Sequence, residues 1–343
     1  MPINAPVTDA RIDACIPSFH PGRSLMELLD LLHVQKRALR KILLVQTGRE
    51  GLDELLKREG MDTDSFLAKY PLVTLRYIGE DEFDHGATRD MAMQLLCDAE
   101  YVLMMTEDAV PYDDELTERL LSGFYAHPEK TGVRNEKTAA VYARQIARPE
   151  AGEAEKYTRM FNYPEEPRLK GLDDVPELGI KTFFCSNVCA MYRRDIYDIA
   201  GGFPKGTPFN EDMIYAGHAV SAGYLIYYAA DAVVIHSHDY TAAQQFRRNF
   251  DLGASQADHP EVFGSVSSQG EGMKLVVAAA GHLLKKGRIK ELFHFAAGCA
   301  GRYLGYKKGK NYKELSQEKI LKYTMNRVYW TRRFAGGRFG DQS

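Results

Sequence analysis

The chain has 343 residues, of which 45% are apolar and 27% are charged, and its formal net charge is −3. This composition is typical of a globular protein with a sizeable core, and it excludes disordered, collagen-like and disulfide-scaffold classes. The length allows two domains, or one large α/β domain with an appendage. No stretch reaches the roughly 20 consecutive apolar residues of a membrane-spanning helix, and the first residues lack a signal-peptide pattern, so a cytoplasmic location is expected.

Positive charge is concentrated toward the C-terminal end. Residues 274–338 contain sixteen Lys or Arg and three acidic residues, whereas residues 1–273 contain 28 basic and 43 acidic residues. The stretches GHLLKK at 281–286 and LFHFA at 292–296 combine apolar and basic residues, as helices at a membrane interface do. Helices that pack on the rest of the chain or on a second subunit explain the same pattern. Because no nucleic-acid-binding module accompanies the charge, nucleic acid is not an expected partner.

Short apolar runs alternate with helix-like stretches over the first 120 residues, which predicts βαβ units and a mostly parallel sheet. The predicted strands are 12–18, 41–46, 73–78 and 101–106, and the predicted helices are 24–35, 51–59, 62–70 and 87–99. Residues 129–179 are polar and contain several prolines, so we predict an irregular insertion there. A buried segment at 183–192, helices at 194–200 and from 210, and a strand at 225–236 follow.

Acidic residues occur at two places where such a sheet binds ligands. Glu107 and Asp108 follow the apolar run YVLMMT directly, and ligands of open α/β sheets bind at the carboxyl ends of strands. Their oxygens suit Mg²⁺ or Mn²⁺ with substrate phosphates completing the shell, although a helix N-cap explains the same residues. Glu211 and Asp212 begin another predicted helix, where a carboxylate serves as a cap or as a general base.

Two histidines and two arginines surround the end of the last predicted strand. His236 and His238 alternate along it, so both side chains point to one face. One of them is a candidate metal ligand, and the alternative is a hydrogen-bonded pair at a sheet edge. Arg247 and Arg248 lie on the next predicted helix, where a guanidinium can bind a diphosphate or simply face solvent.

Motifs of several common enzyme classes are missing from suitable places in the sequence. We find no GxxxxGK[ST] phosphate loop, GxGxxG fingerprint, GxSxG elbow or HExxH helix there. This excludes the common nucleotide triphosphatase, dehydrogenase, serine hydrolase and zinc protease classes. The remaining candidate chemistry combines a cation that stabilises a diphosphate leaving group with a carboxylate that deprotonates a hydroxyl.

A series of motifs in a fixed order gives a more specific indication. They are IPSFHPG at 16–22, FDHGATRD at 83–90, LMMTEDAVP at 103–111, FFCSNVCAMYRRDIYDIAGGF at 183–203, NEDM at 210–213 and HSHDYTAAQQFRRNFDLG at 236–253. Over residues 12–255 the chain resembles family-2 glycosyltransferases of GT-A fold and is most similar to bacterial rhamnosyltransferases of polysaccharide synthesis. The resemblance implies an α/β fold with a Rossmann-like, mostly parallel sheet and helices on both faces. It also implies a catalytic domain at 1–265, followed by a basic, amphipathic helical region at 266–343.

The resemblance further implies an inverting transfer of a sugar, with dTDP-L-rhamnose as the expected donor and Mg²⁺ or Mn²⁺ as the expected cofactor. The expected acceptor is a glycan or a lipid-linked glycan of the cell surface. With a lipid-linked acceptor, the basic tail would bring the protein to the cytoplasmic face of the membrane. Contact with a second subunit in a homo-oligomer is the alternative role of the tail. There are two alternatives to this function. The enzyme uses a UDP- or GDP-sugar as its donor, or the protein is a non-catalytic scaffold that binds sugar nucleotides or glycans.

By position in the family motifs, the resemblance makes Asp212 the catalytic base. The residues assigned to the donor are Pro17, Phe19, His85, Gly86, Arg89, Glu107, Asp108 and Arg247. The residues assigned to the metal are Asp108, His236 and His238. The chain departs from the family where Thr106 replaces the first aspartate of the Asp-x-Asp motif, and where Arg248 replaces the tryptophan of the QxxRW motif.

Overall fold

The computed structural model describes residues 9–126, 134–264 and 269–336, with the side chains of 269–271 left out. The strands are β1 Ile12–Ser18, β2 Lys41–Thr47, β3 Val73–Ile78, β4 Tyr101–Met105, β5 Val110–Pro111, β6 Thr138–Ile146, β7 Arg168–Lys170, β8 Cys189–Arg193 and β9 Leu225–Ile235. The helices of the first half are α1 Arg23–His33, α2 Glu50–Arg58, α3 Thr63–Lys69, α4 His85–Leu95, α5 Leu116–Gly123, α6 Glu153–Asn162 and α7 Val175–Leu178. The later helices are α8 Arg194–Tyr197, α9 Glu211–Ser221, α10 Ala242–Asp258, α11 Pro260–Phe263, α12 Gln269–Lys285, α13 Ile289–Lys310, α14 Gln317–Tyr323 and α15 Arg327–Phe334.

The strands form one sheet in the order β3-β2-β1-β4-β8-β6-β9-β5, with β7 paired to β9. The strands β3, β2, β1 and β4 are parallel, and their apolar runs are buried on both faces by helices. Beyond β4 the sheet is mixed, because β8 is antiparallel to both β4 and β6. The predicted α/β fold with helices on both faces is confirmed, and the parallel strands form one half of the sheet.

The predicted irregular insertion at 129–179 is wrong for most of its length. Residues 138–146 form β6, which lies inside the sheet between β8 and β9, and α6 and β7 follow. The strand sequence TAAVYARQI is rich in alanine, which has a low strand propensity, so the segment lacked the usual strand signal. Residues 129–133 of the predicted insertion lie outside the described part of the chain.

The described part of the C-terminal region packs on the rest of the protein. Helix α13 lies directly against α10, where a Cβ added at Gly301, Gly305 or Gly309 would come within 2.4 Å of a carbonyl oxygen of α10. Glycine is required along this contact because the two backbones approach so closely. Among the described residues, no helix combines the length and apolarity needed to cross a membrane. The predicted domain boundary at 265/266 and residues 337–343 of the tail lie outside the described residues.

Candidate active site

The carboxyl ends of four strands meet at one edge of the sheet. β1 and β4 are parallel, and two antiparallel steps through β8 turn β6 and its parallel neighbour β9 in the same direction. Residues that follow these strands therefore lie at a common edge, as in other open α/β sheets that bind ligands. The short strand β5 pairs Val110 with Ile235, which brings the loop that carries Asp108 next to the end of β9.

Asp108, His236 and His238 form a three-residue cluster at this edge. Nε2 of His236 lies 3.6 Å from Oδ1 of Asp108, and Nε2 of His238 lies 3.5 Å from Oδ2. One potential ligand atom from each residue lies within 4.8 Å of the others. Burial lowers the pKa of both imidazoles, so both rings are neutral and their nitrogens are available as ligands near pH 7.

The chemistry of this donor set fits a divalent cation. One carboxylate and two neutral imidazoles suit Mn²⁺ or a later transition ion better than Mg²⁺, which prefers an all-oxygen shell. The described residues provide three ligand atoms, so substrate oxygens or water would complete the shell.

Gln145, at the end of β6, orients the buried histidine of this cluster. Its Oε1 lies 3.0 Å from Nδ1 of His236 and also accepts a hydrogen bond from Nη1 of Arg159. Because Oε1 is an acceptor, it fixes the proton on Nδ1 and leaves Nε2 to face Asp108. On its other side, Nε2 of Gln145 donates to Oγ of Ser186 at 3.0 Å. Gln145 could not be identified from the sequence, since nothing in the motif order marks a glutamine at the end of an unrecognised strand.

Glu107 connects the end of β4 to the end of β1. Its Oε2 accepts hydrogen bonds from Oγ of Ser18 at 2.5 Å and from the backbone N–H of Phe19 at 3.1 Å. Burial is the main reason that the pKa of Glu107 is raised to about 7. Phe19 is 49% exposed, and Pro17 is half-buried in the same strand end. Glu107 thus holds the turn after β1 and does not belong to the metal cluster.

Asp212 lies in the first turn of α9, two residues after the N-cap Asn210, whose φ of 65° is left-handed. Its Oδ2 accepts from the backbone N–H of Asn187 at 2.9 Å, and its Oδ1 accepts from the N–H of Met213 at 2.8 Å. Burial and the neighbouring Glu211 carboxylate raise the pKa of Asp212 to about 7. A half-buried carboxylate that titrates near neutral pH has the properties of a general base.

A continuous path of contacts joins Asp212 to the metal cluster. Gln145 contacts His236 and Ser186, and the residue after Ser186, Asn187, holds Asp212 through its backbone N–H. The Nδ2 of Asn187 also donates to Oε1 of Glu211 at 3.0 Å. The loop before β8 therefore fixes the base relative to the metal position. This loop belongs to one of the sequence motifs, but the motif alone did not indicate a role for Ser186 or Asn187.

Arg89, which was predicted to contact the donor, lies in a buried ion pair. Its Nη1 lies 3.1 Å from Oε1 of Glu211, and both side chains are almost completely buried. The same nitrogen donates to the carbonyl of His85 at 3.1 Å. A guanidinium that is enclosed in this way supports the start of α9, and the donor role of Arg89 stays a prediction. Arg89 lies one helical turn after His85 on α4, and its side chain points toward the protein interior. The sequence motif did not reveal this direction.

Gly86 also has a structural reason to be glycine, because a Cβ there would lie 1.7 Å from the carbonyl oxygen of Pro204. The backbone of α4 thus touches the loop before α9, and Gly86 has no side chain to offer to a donor. His85 remains close to the site, where burial is the main factor that lowers its pKa and the charges of Glu211, Arg89 and Arg248 act on it.

Two neighbouring arginines on α10 have different surroundings. Arg247 is exposed and lines a surface pocket of about 290 Å³ with residues of the C-terminal helices, away from the metal cluster. Arg248 instead lies over the Phe209 ring at 4.6 Å and close enough to His236 and His238 to act on their titration. One residue turns a helix by 100°, so the two arginines point in different directions. The donor role of Arg247 stays a prediction, and Arg248 is the arginine close to the two histidines.

The fold is GT-A-like, as predicted. The structure is similar to that of the mannosyltransferase PcManGT from Pyrobaculum calidifontis in complex with GDP-Man and Mn²⁺, with a TM-score of 0.59, 16% identity and coverage of 90% of both chains. No family model matches the sequence.

Curated relatives identify the family. The chain is 30% identical over 327 residues to the O-antigen chain rhamnosyltransferase RfbN of Salmonella typhimurium, covering 93% of this chain and 96% of the relative. It is 36% identical over 260 residues to the O-antigen chain rhamnosyltransferase WbaN of Salmonella anatum, covering 74% and 78%. The chain belongs to the O-antigen rhamnosyltransferase family and is a hexosyltransferase of polysaccharide biosynthesis, which confirms the resemblance that its motifs indicated.

Proposed function

We propose that this protein transfers L-rhamnose from dTDP-L-rhamnose to a hydroxyl of a growing O-antigen chain or another lipid-linked glycan, with inversion at the anomeric carbon. The observation that carries the proposal is the pairing of two acidic centres at one sheet edge. Asp108 and its two histidines suit a divalent cation that would bind the diphosphate. Asp212 is a separate carboxylate, linked to this cluster through Gln145 and the loop before β8. The names of the two curated relatives support the sugar and the acceptor class.

The proposed mechanism is a single displacement. Asp212 takes the proton of the acceptor hydroxyl while that oxygen forms a bond to the anomeric carbon and the bond from this carbon to the diphosphate oxygen breaks. A divalent cation bound by Asp108, His236 and His238 would supply Lewis-acid stabilisation of the leaving diphosphate. Arg248 adds a positive charge on the same side, and its guanidinium is held over the Phe209 ring.

On the nucleotide side, the proposal keeps Pro17, Phe19 and His85 as donor contacts. Phe19, which is 49% exposed, offers an aromatic surface for a nucleotide base, and Glu107 holds its backbone in place. The mannosyltransferase of similar fold binds GDP-Man, so a UDP- or GDP-sugar is the alternative donor.

The transfer assay that tests this proposal uses the purified chain with Mn²⁺, a lipid-linked glycan acceptor and one of three donors: dTDP-L-rhamnose, UDP-glucose or GDP-mannose. We expect rhamnosyl transfer only with the first donor, loss of transfer on chelation, and a product whose anomeric configuration is opposite to that of the donor. Retention of configuration would contradict the role of Asp212. Donor binding without transfer to any acceptor would favour a non-catalytic scaffold.

We also propose that the protein works at the cytoplasmic face of the membrane through helices α12 and α13. Their outer surfaces carry exposed apolar side chains: Met273, Val277, Leu284, Ile289, Phe293, Tyr303 and Leu304. Basic residues surround them: Lys274, Lys285, Lys286, Arg288, Lys290, Lys307 and Lys308. This combination suits insertion at the surface of an anionic bilayer, whereas a second copy of the same basic surface would be repelled.

Vesicle sedimentation tests the membrane contact. We expect binding to vesicles that contain phosphatidylglycerol and little binding to neutral phosphatidylcholine vesicles, with a decrease as salt rises. Phe293→Ser should weaken binding about tenfold because the ring no longer enters the bilayer. Ile199→Ser is the matched control, since Ile199 is 70% exposed elsewhere on the protein. A dimer in solution together with no vesicle binding would contradict the proposal.

A further inference from the structure

Lys170, the last residue of β7, is a buried lysine that the proposed mechanism does not use. It is 3% exposed, and burial lowers the pKa of its ammonium group to about 7. Nζ donates hydrogen bonds to three neutral oxygens: Oη of Tyr142 at 3.1 Å, the carbonyl of Lys181 at 3.0 Å and the carbonyl of Phe184 at 2.6 Å. Because lysine is rarely enclosed without an ion-pair partner, these three bonds need an explanation.

The charged groups around Lys170 do not compensate for its burial. Asp174 raises the pKa of Lys170, but Oδ1 of Asp174 lies 3.2 Å from Nη2 of Arg168, whose own charge lowers that pKa. Burial raises the pKa of the Cys185 thiol to about 12, so this neighbour is neutral near pH 7. Nζ also lies 4.8 Å from the centre of the Tyr142 ring. The direct contacts of the amine are therefore with neutral groups, two of which are backbone carbonyls.

The sheet fixes the position of Lys170. In the antiparallel pairing of β7 with β9, Lys170 lies opposite Ile226. Tyr142 lies in β6, opposite Tyr228 of the same strand β9. Since the amine and its phenol partner both stand on strands that are hydrogen-bonded to β9, Nζ is a rigid support for the backbone that it contacts.

That backbone leads directly to the proposed base. The carbonyls of Lys181 and Phe184 belong to the segment that enters the loop before β8. Three residues after Phe184, the backbone N–H of Asn187 donates to Oδ2 of Asp212. Oδ1 of Asn187 accepts from Oη of Tyr192 in β8 at 2.8 Å, which fixes the loop on its other side. In sequence, the peptide group that contacts Asp212 thus lies between the Lys170 support and β8.

We infer that Lys170 is a positioning residue of the transfer reaction: it fixes the loop before β8 so that the backbone N–H of Asn187 stays directed at Asp212. The inference rests on the proposed role of Asp212 as the general base. The bond from Asn187 favours the charged carboxylate and so lowers the pKa of Asp212, against burial, which raises it. A lysine amine has at least two N–H donors whether protonated or neutral, so both carbonyls are held on either side of pH 7.

Titration of the Asp212 carboxyl group, followed by ¹³C NMR in the full chain labelled at its aspartate carboxyl carbons, tests this inference. The signal that is absent from Asp212→Asn assigns the resonance. Lys170→Met keeps the length of the side chain and removes its donors. The midpoint should then rise by about one pH unit, as expected when a hydrogen bond to a charged group is weakened. Lys170→Arg supplies donors again and should bring the midpoint back toward the wild-type value.

The pH profile of rhamnosyl transfer gives a second result. In Lys170→Met, kcat should fall about fivefold at pH 7 and approach the wild-type value at pH 9, because a midpoint moved from about 7 to about 8 leaves roughly a tenth of Asp212 deprotonated at pH 7. The affinity for dTDP with Mn²⁺ should stay within about twofold, since Lys170 has no contact with the metal cluster. Asp251→Ala is the matched control: it removes buried hydrogen bonds to Thr324 and Trp330, so it should lower stability without moving the midpoint.

The inference is overturned if the midpoint in Lys170→Met equals that of the wild type, if Asp251→Ala shifts it equally, or if Lys170→Arg shows no return. If Lys170→Met does not fold, Lys170→Gln takes its place, because its polar amide suits the two carbonyls but its side chain is one atom shorter. Its midpoint should also rise, and an unchanged midpoint overturns the inference. The NMR titration needs neither donor nor acceptor. If the wild type transfers no sugar, the proposed function fails, and the midpoints still decide whether Lys170 holds the contact to Asp212.

Discussion

Replacement of Asp212 by asparagine separates catalysis from binding and folding. The amide has nearly the same shape as the carboxylate but cannot take a proton from the acceptor hydroxyl. General-base catalysis contributes about 10²- to 10⁴-fold, so kcat should fall by that factor, equivalent to about 3–5 kcal/mol. Donor affinity should change little, because Asp212 interacts with backbone N–H groups of Asn187 and Met213 and lies apart from the metal cluster.

The same substitution has a predictable effect on stability. The folded-state pKa of Asp212, about 7, lies above the value of 3.8 for an unperturbed aspartate. The protonated form is therefore the one that the fold favours, so the contribution of Asp212 to stability is complete below pH 4 and is lost as the pH rises through about 7. Asparagine lacks this dependence. One of the two backbone N–H groups will face the new amide NH₂, which costs about 1–3 kcal/mol of stability. Because the wild type loses stability as the pH rises and the variant does not, the free energy of unfolding of the variant relative to wild type should increase by about 2 kcal/mol from pH 5 to pH 8.

The assays are steady-state transfer and urea unfolding at several pH values. In the wild type, kcat should rise tenfold per pH unit below about 7 and level off above it, because the base must be deprotonated. Asp64→Asn is the matched control, since Asp64 is exposed on α3 and should change neither quantity. The reasoning is refuted if Asp212→Asn retains more than about a tenth of wild-type kcat, well above the loss that removal of a general base causes.

Three further substitutions test the support around the site. Arg89→Met leaves the buried Glu211 carboxylate without its partner and should reduce the free energy of unfolding by about 3–5 kcal/mol in urea; a loss below about 1 kcal/mol would contradict the structural role of the pair. Gln145→Leu should weaken Mn²⁺ binding 10- to 100-fold by calorimetry, and unchanged affinity would exclude an orienting role. Asp251→Ala removes the acceptor of the indole N–H of Trp330, the only tryptophan, and should lower the melting temperature and shift its fluorescence to the red; an unchanged spectrum would show that α15 stays docked without this bond.

The parallel half of the sheet could be predicted from the sequence because its strands are short, continuous apolar runs. For β1 and β3 the predicted ranges match the structure, and β2 differs by one residue. The acidic residues after β4 and the histidines after β9 followed from the rule that ligands bind at strand ends. The structure then showed why those two ends meet, through the pairing of β5 with β9.

The interactions between distant segments could not be predicted in the same way. Arg89 and Glu211 are 122 positions apart, and their ion pair depends on how α4 and α9 pack. Which arginine of α10 lies close to His236 and His238 depends on helix rotation, and the motif alone does not distinguish Arg247 from Arg248. Strand β6 was missed because its alanines carry little strand signal, and Gln145 was missed with it.

Calorimetric titration of dTDP-L-rhamnose into the wild-type chain and into Asp108→Asn, each with Mn²⁺ and with a chelator, tests the central claim most directly. The account predicts binding to the wild type that strengthens with Mn²⁺, and no strengthening in the variant, because Asp108 lies between the two histidines and contributes the only carboxylate of the described cluster. Equal affinity with and without Mn²⁺ in the wild type, or tighter binding of UDP-glucose or GDP-mannose, would contradict it.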